Sequence, residues 1–164
     1  MPYHQGAVSI AAYAEWLAGW LNEQNTTRPV LLGHSLGGAV ALELAAQGSR
    51  GVAGLILAAS APLGGLITPE DNYPALEMLR SDAALLETSL AAFFPSGRPG
   101  NFAQFVEDGA RMAPEHYQGN ARALAGWRVD TERLRGVPAL VMGGELDPLI
   151  TPEMVRAQAG ALGT

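Results

Sequence analysis

The run Pro29-Val30-Leu31-Leu32-Gly33-His34-Ser35-Leu36-Gly37-Gly38-Ala39-Val40-Ala41-Leu42 constrains the fold more than any other stretch of the chain. A short aliphatic run stops at Gly33, and a second apolar run with helical spacing starts just after Ser35. Ser35 sits on the corner. Gly33 to Gly37 reads G-x-S-x-G, the strand-to-helix turn that lifts a serine hydroxyl clear of a parallel sheet and sets it at a helix N-terminus. A turn this tight predicts that Gly33 and Gly37 are both required, since side chains there would meet the neighbouring strand or the helix packed over it. The five-residue pattern alone arises by chance in roughly one chain in ten of this length, so the flanking strand and helix carry the inference. They make Ser35 a candidate nucleophile, and the Leu36 N–H a candidate donor to a developing oxyanion.

The rest of the chain supplies the context. Ser9 is the expected N-cap of a helix to about Asn22, with Ile10, Tyr13, Ala14, Leu17, Trp20 and Leu21 on one stripe. Val30 to Leu32 shows no polar alternation, which predicts a strand covered on both faces. Leu36 to Gln47 is an alanine-rich helix with Gly48 at its C-terminal cap, and Val52 to Ala58 is the next strand. Strand, helix and strand form a right-handed βαβ unit, so the strands are parallel. Thr131 to Leu134 is a short helical turn and Val137 to Met142 a third buried strand. Thr151-Pro152-Glu153 opens a last helix, with a capping threonine, a proline at its first position and an acid in its first turn.

Between Ser60 and about Gly126 the pattern breaks into short helical pieces separated by prolines. Helices are expected at 74–80, 82–93, 101–112 and 114–125, the third opened by an Asn101/Gln104 capping box. The chain therefore divides into a core part (1–60), an inserted helical cap (61–126) and a second core part (127–164). Phe93, Phe94, Phe102, Phe105, Met78 and Met112 either line an apolar pocket over Ser35 or form the cap's own core.

With 164 residues, 48% of them hydrophobic and 16% charged, the chain is expected to bury one core. A net charge of −6 with no basic cluster argues against nucleic-acid or anionic-membrane partners. No cysteine is present, which removes disulfides, thiolate metal sites and cysteine nucleophiles. No cofactor or metal is expected. There is no leader pattern and no apolar stretch near the roughly 18 residues a membrane helix needs, so a soluble, cytoplasmic protein is expected.

A serine needs a base to take its proton and a carboxylate to orient that base. Asp147, just past the end of the third strand, is the candidate carboxylate, either catalytic or a turn residue before Pro148, or both. Glu145 and then Asp130 are the alternatives. Gly33-His34-Ser35-Leu36-Gly37-Gly38, with Val137-Pro138-Ala139-Leu140-Val141 leading into Gly144-Glu145-Leu146-Asp147-Pro148, resembles the α/β-hydrolase superfamily, and within it the capped esterases, enol-lactonases and C–C bond hydrolases. The resemblance implies a parallel sheet flanked by helices, Ser35 as nucleophile, Asp147 as acid and the Leu36 N–H as half of the oxyanion hole. It also implies a histidine after one further strand beyond the acid. His4 precedes the first helix, His34 lies inside the turn and His116 falls in the cap, upstream of the acid, so none fills that role readily. The second oxyanion donor has no candidate either. The chain is thus expected to be the middle and later part of a hydrolase, inactive alone, with both flanks of its sheet open.

The function expected is carboxylic-ester hydrolysis through an acyl-enzyme, on a small apolar ester. Lactone hydrolysis and C–C cleavage use the same constellation. The alternative from another class is a non-catalytic remnant that binds a small apolar ligand or a partner chain. The sequence does not specify an oligomeric state.

Overall fold

A computed structural model of the chain describes residues 6–48 and 51–164. Three parallel strands, β1 (Val30–His34), β2 (Gly54–Ala58) and β3 (Ala139–Met142), lie side by side in chain order. The register pairs Leu31 with Leu55 and Leu55 with Ala139, and then Gly33 with Leu57 and Leu57 with Val141. These rows face the core. Helix α1 (Ile10–Glu23) packs on α2 (Leu36–Gln47), α2 packs on β1 and β2, and α7 (Pro152–Leu162) packs on β3. Ile10, Ala14, Ala39, Leu42, Leu44 and Leu57 are the centre of that core.

On the opposite face the edge strands β1 and β3 are bare while Ile56 and Ala58 of β2, between them, are half-buried, which corrects the expectation that the strands are covered on both faces. Val30 is 60% exposed, Leu32 69%, Leu140 55% and Met142 49%. The aliphatic composition of these strands is that of a sheet covered twice. Among the described residues, however, helices lie on one face only, and β1 and β3 are both edges.

Between β2 and β3 the chain leaves the sheet. It runs through a 3-10 turn (Glu70–Asn72), α3 (Tyr73–Met78), α4 (Ala83–Ala91), α5 (Phe102–Ala110), α6 (Pro114–Gly126) and a second 3-10 turn (Thr131–Leu134). Outgoing and returning chain are tied together at the base, where Leu66 N–H donates to Leu124 O at 3.2 Å and Val129 N–H to Leu63 O at 3.1 Å. Gly65, at φ +77°, is needed there because a Cβ would sit 2.6 Å from Trp127 O. Trp127 Nε1–H donates to Glu43 Oε2 at 2.9 Å and anchors the end of α6 to α2.

Side-chain caps fix where three of the seven α-helices among the described residues begin. Ser9, Asp82 and Thr151 accept from the backbone N–H groups of Ala12, Leu85 and Met154. The Asn101/Gln104 capping box does not form. Asn101 lacks the extended backbone a cap needs and makes no side-chain cap bond, while Gln104 Nε2 donates one turn ahead to Asp108 Oδ1 at 3.0 Å. Among the described residues no helix is long and apolar enough to cross a membrane.

Candidate active site

The turn between β1 and α2 holds Ser35 at φ 51° and ψ −122°, a left-handed conformation uncommon for a residue with a side chain. Backbone bonds hold it there. Ser35 N–H donates to Ala59 O at 3.1 Å, and Ser35 O accepts from Gly38 N–H at 3.0 Å and Ala61 N–H at 3.1 Å. Ala59, itself at φ 42°, donates its N–H to Met142 O at 2.8 Å, so the C-terminal tips of all three strands are joined around the serine. Such a conformation persists where its surroundings over-determine it.

The glycines divide the work differently from the motif. A Cβ on Gly33 would lie 2.6 Å from Gly38 Cα and 2.7 Å from Gly37 C, both rigid backbone. A Cβ on Gly37 would meet nothing within 4 Å, so the expected requirement at Gly37 is not found. It falls on Gly38, whose Cβ would overlap the buried side chain of Ser60. The reason is local: α2 presents its Gly38 side to the chain leaving β2, and its Gly37 side is open.

Ser35 and Asp147 line one cavity of about 680 Å³. Asp147 fills the turn role expected of it, its Oδ1 accepting from Leu149 N–H at 2.9 Å and Ile150 N–H at 2.8 Å. Oδ2 has no donor among the described residues. Glu145 also lines the cavity, whereas Asp130 caps the second 3-10 turn through Glu132 N–H at 3.0 Å and is not on its wall. Among the described residues Ser35 Oγ makes no hydrogen bond, and the Leu36 N–H has no acceptor. Phe93, Phe94 and Phe105 form the opposite wall. Phe102 is buried and stacks edge-on against Phe94, so it belongs to the interior of the helical segment between β2 and β3; Met78 and Met112 are not on the wall.

The histidines do not complete a triad among the described residues. His34 is exposed beside Ser35 on the cavity rim and makes no hydrogen bond there. His116 lines a different cavity of about 610 Å³ between α1 and the open edge of β1, with Nδ1 3.1 Å from Tyr13 Oη. Tyr13 Oη also donates to Asn120 Oδ1 at 2.8 Å, and burial, aided by the charge of Glu115, raises the phenol pKa above its ordinary value. Leu36 lines that second cavity as well. His4 lies outside the described residues. The Glu43–Trp127 and Gln158–Ala61 bonds join residues 84 and 97 positions apart, and no local pattern in the sequence marks them.

The fold is similar to several solved structures. An esterase from Exiguobacterium antarcticum matches with a TM-score of 0.79 and 21% identity over 96% of this chain and 63% of its own. A thermophilic esterase from Thermogutta terrifontis matches at 0.78 and 24%, over 98% and 63%. A bromoperoxidase from Bacillus anthracis matches at 0.77 and 16%, over 98% and 65%. The chain thus spans a little under two thirds of the length of these structures. Comparison with curated proteins returns no match. The model of the alpha/beta hydrolase family matches residues 2–163. With its parallel sheet, its flanking helices and this match along nearly the whole sequence, the chain belongs to the alpha/beta hydrolase family.

Proposed function

We propose that the chain carries the nucleophile and the acid of a serine hydrolase that cleaves carboxylic esters through an acyl-enzyme. Ser35 attacks the ester carbonyl, the Leu36 N–H donates to the oxyanion, and Asp147 orients the imidazole that takes the Ser35 proton. In this reading residues 1–60 and 127–164 are the catalytic core and 61–126 the cap that shapes the substrate cavity. The observation that carries the proposal is the cavity shared by Ser35, strained in its backbone, and by Asp147, whose Oγ and Oδ2 respectively make no hydrogen bond among the described residues. The esterase neighbours support an ester substrate. No imidazole among the described residues stands between Ser35 and Asp147, so the 164-residue chain alone is expected to turn over slowly.

Added imidazole tests the assignment. With p-nitrophenyl butyrate, imidazole should accelerate hydrolysis by the chain beyond its effect in buffer, and Ser35→Ala should abolish the excess. Equal rates for the chain and for Ser35→Ala at every imidazole concentration would refute the nucleophile. The reading of the chain as a binding subunit would then gain.

A further inference from the structure

We propose that the Ser35 cavity takes an apolar ester without negative charge, and that Glu145 is the residue that turns carboxylate-bearing substrates away. The inference rests on the reading of Ser35 as nucleophile and extends it to substrate class. The walls are hydrocarbon. Phe93 and Phe105 stay 51% and 45% exposed on the cavity side instead of joining the cap's interior. Phe94 stacks edge-on against Phe105 at 5.6 Å and against Phe102 at 5.8 Å, and Phe102 is itself buried, so the aromatic wall is braced from behind. Leu146, Leu149 and Ile150 face it from the loop after β3. A cavity of about 680 Å³ falls within the range of small-molecule sites, roughly 300–1,000 Å³.

The charges on these walls have one sign. Glu145 and Asp147 line the cavity, and among the described residues no arginine does. Arg98, next in the chain to the lining residue Gly97, is turned elsewhere: it pairs with Glu87 at 2.7 Å and lies 4.7 Å from the centre of the Phe102 ring. Asp147 has two N–H donors on Oδ1, whereas Glu145 has no donor or cation among the described residues. An entering carboxylate therefore meets two like charges with no counter-charge on the walls among the described residues. Asp147 is committed to its turn. Among the described residues Glu145 holds no backbone group in place, so its carboxylate can act on substrate charge without cost to the turn.

Binding of amides that cannot be turned over tests this apart from the chemistry. N-benzylhexanamide and its para-carboxylate differ by one charge, and the backbone amides of Gly97 and Gly144 report on opposite walls in 1H–15N NMR titrations. We expect the neutral amide to shift both signals and to bind about tenfold more tightly, ~1.4 kcal/mol. Glu145→Gln should narrow the ratio to about threefold, and Glu145→Arg should reverse it. Equal affinities, a ratio indifferent to both substitutions, or no shift with either compound would overturn the inference. Equal affinities together with Ser35-dependent ester turnover would overturn it alone, and the expected ratio without such turnover would overturn the nucleophile instead.

Discussion

Replacing Gly38 by Ala should destabilise the chain, although the motif assigns the need for glycine to its neighbour. A Cβ at Gly38 would overlap the Ser60 side chain and lie 3.0 Å from Ser60 Cα. Ser60 is 2% exposed and bonds Ala61 O at 3.1 Å, and the next residue is tied to Ser35 O, so neither a new rotamer nor an easy backbone shift relieves the overlap. Overpacking of this kind costs about 3 kcal/mol at the upper end of its usual range. Alanine returns up to about 1 kcal/mol of helix propensity, leaving a net loss of about 2 kcal/mol. At Gly37 only the propensity gain remains, and Gly37→Ala should be neutral or about 0.5 kcal/mol stabilising. Ser60→Gly removes the overlapping atoms, so the pair Gly38→Ala/Ser60→Gly should show a coupling above ~1 kcal/mol in a double-mutant cycle. Urea unfolding followed by far-UV circular dichroism measures all five proteins. The elbow geometry would be wrong if Gly37→Ala were the more damaging substitution, or if the two changes were simply additive.

Asp147→Asn keeps an acceptor for Leu149 and Ile150, so unfolding free energy should move by less than about 1 kcal/mol while Ser35-dependent ester turnover falls, by up to the order of 10⁴-fold known for triad acids; a large loss of stability with unchanged turnover would reduce Asp147 to a turn residue. Tyr13 has a raised pKa, so its contribution to stability is intact below the ordinary tyrosine pKa of about 10 and is lost as pH climbs through the higher folded value; unfolding measured across alkaline pH should fall less steeply in Tyr13→Phe, and identical slopes would contradict the burial assigned to it. The bare apolar face at Leu32 and Leu140, flanked by open edges, should make the chain self-associate, and Leu32→Lys/Leu140→Lys should lower its mass by light scattering; a monomeric parent chain would refute this.

Local signals in the sequence are legible where chemistry acts over a few residues. The aliphatic run into Gly33, the serine corner and the alanine-rich helix capped by Gly48 at φ 68° correspond to β1, the strained Ser35 and α2. The caps at Ser9 and Thr151 formed for the same reason, because a side chain and an N–H three residues on need no distant partner. Signals that depend on distant neighbours were not legible. Whether Gly37 or Gly38 is needed depends on the position of Ser60, and whether Phe102 or Phe105 faces the cavity depends on how α4 and α5 pack. Strand composition likewise reports a sheet suited to burial on both faces, not which face helices cover. Gln104 had two possible partners, and the one a turn ahead on its own helix won over the cap.

The central claim is that the Ser35 hydroxyl is the nucleophile and that a base activates it. Fluorophosphonate labelling followed by intact-mass and peptide mass spectrometry tests it most directly, since the reagent reacts with an activated serine. We expect slow labelling of the chain alone, faster labelling with added imidazole, and a single adduct at Ser35 that disappears in Ser35→Ala. Rapid stoichiometric labelling without imidazole would reveal a base already present in the chain. An adduct at any other residue, or none at Ser35 under either condition, would contradict the claim.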